Sequence, residues 1–189
     1  MEPGGAALRY VLDKSSSKFT VQAFASGMLS ALGHSPTFAI RDFSGEAIWD
    51  PGAPAQSSLR VQIRADSLEV MDDIKSKDRR EMESTMNQDV LESAKYPTIV
   101  FESTASSVNQ IGDGRYQVKV NGNLSLHGVT KNLTVPAQLA VLGDMFRASG
   151  EFPLLQASYG IQPVSVAGGT LKLKDELKFT FDIVARKQG

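Results

Sequence analysis

The chain has 189 residues, 41% of them hydrophobic and 22% charged, and a net charge of −1. That balance suits one soluble globular domain with a sizeable core, and it supplies no field to draw in nucleic acid or an anionic membrane. The absence of cysteine excludes disulfides, thiolate nucleophiles and cysteine-ligated zinc or iron–sulfur sites. No apolar run approaches the roughly 20 residues of a membrane-spanning helix. The start of the chain lacks a basic segment followed by an apolar core. The sequence as given is therefore expected in the cytoplasm, with the periplasm as the alternative if a leader has been removed. Residues 1–189 read as a single domain.

The first strand signal is the alternation of Phe19, Val21 and Ala23. "GMLSALGH" follows, an apolar stretch that suggests a short helix near 27–33, ended by Pro36. Phe38 and Ile40 share a strand face, and Phe43 to Trp49 form another strand. "DPGAPAQSS", Asp50 to Ser58, reads as an exposed loop. Leu59, Val61, Ile63 and Ala65 then oppose Arg60, Gln62, Arg64 and Asp66.

The alternation stops at Asp72. Met82, Met86 and Val90 recur at i, i+4 and i+8 with Leu91 beside them, which predicts one helix around 75–93 with a narrow apolar stripe, ending before Pro97. Its Lys75, Lys77, Arg79 and Arg80 interleave with acids, as on a solvated face carrying i,i+3 and i,i+4 ion pairs. Asp72 or Asp73 is expected near the helix N-terminus.

Period-2 patterning then resumes. Tyr116, Val118, Val120, Leu124 and Leu126 occupy one face of a strand. Leu133, Val135, Ala137, Leu139 and Val141 occupy one face of the next, followed by Phe146, Ala148 and Phe152. A two-residue turn at Gly143-Asp144 would oppose Val141 to Phe146, Leu139 to Ala148 and Val135 to Phe152. Across "HGVTK" the apolar phase swaps from even to odd numbers, as an even-residue hairpin loop requires. A centre at Gly128-Val129 or at Val129-Thr130 would satisfy it, so parity is set and register is left open. A last long strand keeps Leu171, Leu173, Leu177, Phe179, Phe181 and Ile183 in phase, broken at Asp175. "VAGGT" before it reads as a flexible loop.

About eight strands with one apolar face each, joined mostly as a meander, predict a mainly β chain. Closing them into a single antiparallel up-and-down β-barrel buries the apolar face and removes the edges. A two-sheet sandwich is the competing architecture. The barrel interior is either filled by side chains or able to hold a small ligand.

The inward-facing candidates for a binding wall are Val21, Phe38, Ile40, Val61, Ile63, Phe101, Val120, Leu124, Leu139, Phe146, Phe179 and Phe181, with Met82 and Met86 from the helix. Met28 and Met71 join those two methionines as candidates for an adaptable mouth. His34, Arg79, Arg80 and His127 are candidates for a rim that meets a ligand's head group. The two histidines also suggest an alternative, a small metal-binding or catalytic barrel, although no metal-ligand spacing links them. No glycine-rich phosphate loop or nucleophile elbow is present. No catalytic residue and no metal ligand is assigned, and the chain is not expected to be an enzyme. A filled-core barrel acting through its surface is a further alternative.

Several segments resemble the YceI-like family of lipocalin-like barrels, in order along nearly the whole chain. They are "SKFTVQAFASG", "FSGEAIWD" (43–50), "LRVQIRADSLEV" (59–70), "NQDVLESAKYPTIVFEST" (87–104), "VNGNLSLHGVTKNLTVP" (120–136) and "LKLKDELKFTFDIVA". The resemblance implies a lipocalin-like barrel that binds and transports an amphiphilic lipid, isoprenoid or isoprenoid-quinone-like, in its apolar interior. The implied partner is that lipid or quinone, with no cofactor of another kind, no nucleic acid and no integral membrane segment. A homodimer is compatible with the sequence.

Overall fold

The structure is a computed structural model that describes residues 6–27, 35–166 and 171–189. Met28, His34 and nearly all of the helix expected near 27–33 lie outside the described residues, as does most of the "VAGGT" loop.

The strands are β1 (Leu8–Leu12), β2 (Lys18–Ser26), β3 (Thr37–Ile40), β4 (Phe43–Trp49), β5 (Ser58–Arg64) and β6 (Leu68–Val70). After the helix α1 (Ser76–Thr85) come β7 (Thr98–Gly112), β8 (Arg115–Leu126), β9 (Val129–Leu142), β10 (Met145–Leu155), β11 (Ser165–Val166) and β12 (Leu171–Lys187). β1 and β2 are two halves of one stave. Both run antiparallel to β12, Tyr10 opposite Lys187 and Phe19 opposite Phe181. β3 with β4, and β5 with β6, are likewise single staves with a kink. Among the described residues, eight staves follow one another as an up-and-down meander, and β1 pairs with both β4 and β12 to close the ring. This is the expected barrel, not the sandwich.

The kinks are stitched by side chains, because a broken ladder leaves backbone groups that need partners. Between β1 and β2, the Asp13 carboxylate accepts from the Ser15 amide at 3.1 Å, the Ser15 hydroxyl at 2.6 Å and Arg186 Nε at 2.8 Å. Ser17 bonds both the amide and the carbonyl of Val184. β1 is absent from the strands expected from sequence, yet Leu8, Tyr10 and Leu12 alternate, and Tyr10 is only 1% exposed. Five residues beside a polar "DKSSS" run are a short signal.

The Gly143-Asp144 turn forms as expected, with Val141 opposite Phe146 and Leu139 opposite Ala148. The β9–β10 ladder ends at Gln138 and Ser149, however, before the expected Val135–Phe152 pair. Pro136 has no amide to donate there. At "HGVTK" the parity is as expected but the centre is neither of the two weighed. Leu126 pairs with Val129, so His127 and Gly128 form the two-residue turn. Both have positive φ, 53° and 74°, as a type I′ turn requires. A Cβ on Gly128 would also lie 2.6 Å from the Tyr96 ring. In β12 the break at Asp175 is a bulge between Leu173 and Leu177, and the Asp175 carboxylate caps the Ala157 amide at 2.7 Å.

The single predicted helix is an α-helix over Ser76–Thr85 continued by a π-helical turn over Met86–Val90. Its N-cap is Lys75, and Asp72 instead accepts from the Thr37 amide at 2.8 Å. The expected i,i+4 ion pairing is represented by Lys77–Glu81 at 3.7 Å.

Candidate ligand cavity

The barrel interior is not filled. Its inward side chains enclose a cavity of about 640 Å³, within the roughly 300–1,000 Å³ typical of small-molecule sites. The period-2 geometry of each stave sends alternate side chains inward. β2 and β3 thus present Val21, Phe38 and Ile40, and β5 presents Val61 and Ile63. β7 and β8 add Phe101, Val120 and Leu124, while β9, β10 and β12 add Leu139, Phe146, Phe179 and Phe181. Phe101 turns inward over Gly122, where any larger side chain would run into its ring.

The two ends of the cavity differ. At the end formed by the 112–115 and 142–145 hairpins, aromatic pairs stopper the barrel. Tyr10 packs on Phe146 with centroids 5.1 Å apart, and Trp49 packs on Tyr116 at 5.2 Å. Burial raises the pKa of the Tyr10 phenol, and nearby Asp144 adds to the effect. At the other end α1 and its π-turn lie across the mouth, and Met82, Met86, Val90 and Leu91 face the cavity. Met86 is buried while Met82 is half-buried. Met71 is exposed and does not line the wall.

Polar side chains meet the cavity at its margins. Asp78, Glu81 and Thr85 of α1 and Lys172 of β12 lie at the α1 end. Ser57 and Ser58 of the 50–58 loop, with Ser106 of β7, lie where the β5–β7 ladder stops at Arg60 and Glu102, and the apolar ring of Pro54 borders the cavity beside them. That loop is not a purely exposed connection, because it mends the wall beside the lower half of β7.

The described cations expected at the rim lie elsewhere. Arg79 donates to the carbonyls of Val70 and Asp72, the latter at 2.8 Å, and so ties α1 to the end of β6. Glu83 reinforces this by accepting from the Val70 amide at 2.9 Å. Arg80 is exposed and absent from the wall.

His127 sits beneath the rim, its side chain only 12% exposed. The Tyr159 carbonyl, 3.1 Å from Nδ1, can only accept, so Nδ1 carries a proton. Nε2 meets the Glu92 carboxylate at 2.6 Å, and that contact also needs a proton, on the ring or on the carboxyl. The Tyr96 ring packs 4.6 Å from the imidazole. With both nitrogens engaged, His127 joins three turns. Among the described residues no group of three or more His, Asp and Glu side chains gathers as a metal site.

Sequence reading missed parts of the wall. Alternation places Phe19 and Phe152 in strands, and the structure puts both on the wall. Phe19 packs on Phe179 at 5.8 Å, and Phe152 packs on Phe179 at 5.0 Å. Their shared phase with Val21 and Phe146 was the available signal. Asp78 and Glu81 carried none, because only the docking of α1 brings them to the mouth.

A closed antiparallel barrel around an open apolar cavity is the architecture of a hydrophobic-ligand-binding protein. A family model for the YceI-like domain matches residues 10–185, and the chain belongs to the YceI-like family. A UPF0312 protein of Azotobacter vinelandii is 33% identical over 171 residues, covering 89% of this chain and 76% of that one. Protein YceI of Escherichia coli O157:H7 is 32% identical over 139 residues, covering 73% of this chain but 65% of its relative. The crystal structure of Burkholderia cenocepacia BcnA superposes with a TM-score of 0.69 at 21% identity, over 92% of this chain and 98% of that one. A polyisoprenoid binding domain from Saccharophagus degradans, implicated in plant cell wall breakdown, gives 0.68 at 15% identity, over 96% and 99%.

Proposed function

We propose that this chain carries an amphiphilic lipid, an isoprenoid or isoprenoid quinone, with the tail inside the barrel and the head at the α1 end. The observation that supports this most is the open apolar cavity of about 640 Å³ beneath a methionine-bearing helix. The likeness to a polyisoprenoid binding domain is in keeping with it. A tail inside such a wall gains about 0.8 kcal/mol per buried methylene, less the cost of ordering it. Methionines over the mouth suit a site that must adapt to an entering chain.

Organic extraction of the purified protein, analysed by mass spectrometry beside native mass spectrometry of the intact chain, tests this. A co-purifying prenyl lipid is expected. Affinity for prenyl alcohols added to the emptied protein should rise with tail length until the cavity is full. A lipid-free protein that takes up no prenyl alcohol or quinone would remove the carrier reading.

A further inference from the structure

An apolar wall reads hydrocarbon area and not head-group charge, so on the lipid-carrier reading discrimination by head group falls to the charge where the cavity meets solvent. Among the described residues on the wall, the charged ones are Asp78, Glu81 and Lys172. Asp78 and Glu81 are three residues apart, hence neighbours on α1, and both are exposed. Lys77 lies 3.7 Å from Glu81, but both side chains are largely solvated at 79% and 66% exposure, so the pairing is weak.

The arginines that a phosphate would need are committed or elsewhere. Arg79 spends its guanidinium on two backbone carbonyls, and Arg80 is off the wall. Arg41 is paired with Glu69, and Arg64 with Asp66 and Asp42. Residues 28–34 and 167–170 add no lysine or arginine to the sequence.

We propose that the mouth selects by head-group charge, taking an isoprenoid lipid with a neutral head, an alcohol or a quinone, over the same tail bearing a diphosphate. This rests on the lipid-carrier reading above. A diphosphate head at the α1 end meets two carboxylates and one ammonium. It loses hydration without gaining the paired cations that would offset the loss. A neutral head needs only hydrogen-bond partners, which Thr85 on the wall can supply. Lys172 does not invert the preference, because a single hydrated ammonium cannot match the bidentate geometry of arginine.

The test uses the full chain, emptied of lipid, with geranylgeraniol and geranylgeranyl diphosphate, which share one tail. Trp49 is the only tryptophan of the chain and lines the cavity, so its emission reports binding. At about 10 mM salt, where the screening length is about 30 Å, the alcohol is expected to bind at least about tenfold more tightly. The gap should shrink at about 1 M salt, where that length is about 3 Å. In the Asp78→Asn, Glu81→Gln double variant the affinity ratio should move towards the diphosphate by about threefold or more. An Arg80→Gln variant should leave the ratio where it was.

Equal or tighter diphosphate binding at low salt would overturn the proposal while leaving the carrier reading intact. So would a ratio indifferent to both salt and the double variant, or diphosphate binding that collapses in Arg80→Gln. If neither lipid binds, the carrier reading fails and the head-group preference falls with it.

Discussion

The two ends of the barrel solve the same closure problem with different materials. The hairpin end uses aromatic rings on strands: Tyr10 against Phe146 and Trp49 against Tyr116, with Tyr10 and Trp49 1% and 8% exposed. Those rings have few rotamers, and Tyr10, Phe146 and Tyr116 are anchored by ladders on both sides, while Trp49 pairs with Leu8 at the end of β4. The α1 end uses aliphatic and thioether side chains on a short helix, held by polar clamps at each extremity. Arg79 and Glu83 bind β6 at one, and Glu92 binds His127 at the other. A permanent stopper can be packed rigidly. A cover over a cavity must be locatable without being filled in, and polar clamps at its edges do that while flexible side chains face inward.

Four substitutions should break or sharpen that contrast, the largest effect first. Trp49→Ala at the stoppered end should cost about 3–5 kcal/mol of unfolding free energy, as truncation of a buried aromatic does, read by denaturant titration. Met86→Ala at the covered end should cost about 2 kcal/mol, because a flexible thioether chain removes less packed area than an indole ring. It should also accelerate exchange of a bound prenyl lipid, which stopped-flow displacement would measure. Equal losses at the two positions would erase the distinction.

His127→Ala should cost about 1–3 kcal/mol, because it strands the Tyr159 carbonyl and the Glu92 carboxylate. Hydrogen exchange should show the loosening in residues 86–96 before it reaches the strands that carry Trp49. Asp13→Asn should have the smallest effect, and one that depends on pH. Its carboxyl is held well below the ordinary carboxylate range, first by the Ser15 hydroxyl and then by Arg186 and Ser16. A group with a depressed folded pKa contributes stability above its unfolded value of about 3.9, and loses that contribution as pH falls towards the folded value. The variant should therefore be less stable than the parent at neutral pH, and the two should converge in strong acid.

Much of the barrel is legible because its cause is local. The pleat gives a half-buried strand a period of two, so Val61 and Ile63, Val120 and Leu124, and Phe179 and Phe181 declare their facing without knowledge of any partner. The helix declared itself through Met82, Met86 and Val90 in the same way. β1 was harder, since five residues carry little pattern and its importance lies in pairing with β4 and β12, both distant in sequence.

What the sequence by itself determined was most of the strand faces, the one sizeable helix, the parity of the hairpins at 127–128 and 143–144, and membership of a barrel family. Tertiary structure alone decided that the interior stays open, because cavity volume depends on how eight staves close and on how far each side chain reaches. It also decided which residues meet the mouth. Arg79 and Asp78 are adjacent in sequence, yet one is turned back onto β6 and the other lines the cavity. "HGVTK" shows the same division. Alternation demanded an even loop, but placing the turn at His127 and Gly128 depends on positive φ at both and on Tyr96, Glu92 and Tyr159 arriving from other turns. Periodicity is a property of the local backbone, whereas emptiness, charge at a mouth and turn register are properties of what the folded chain brings together.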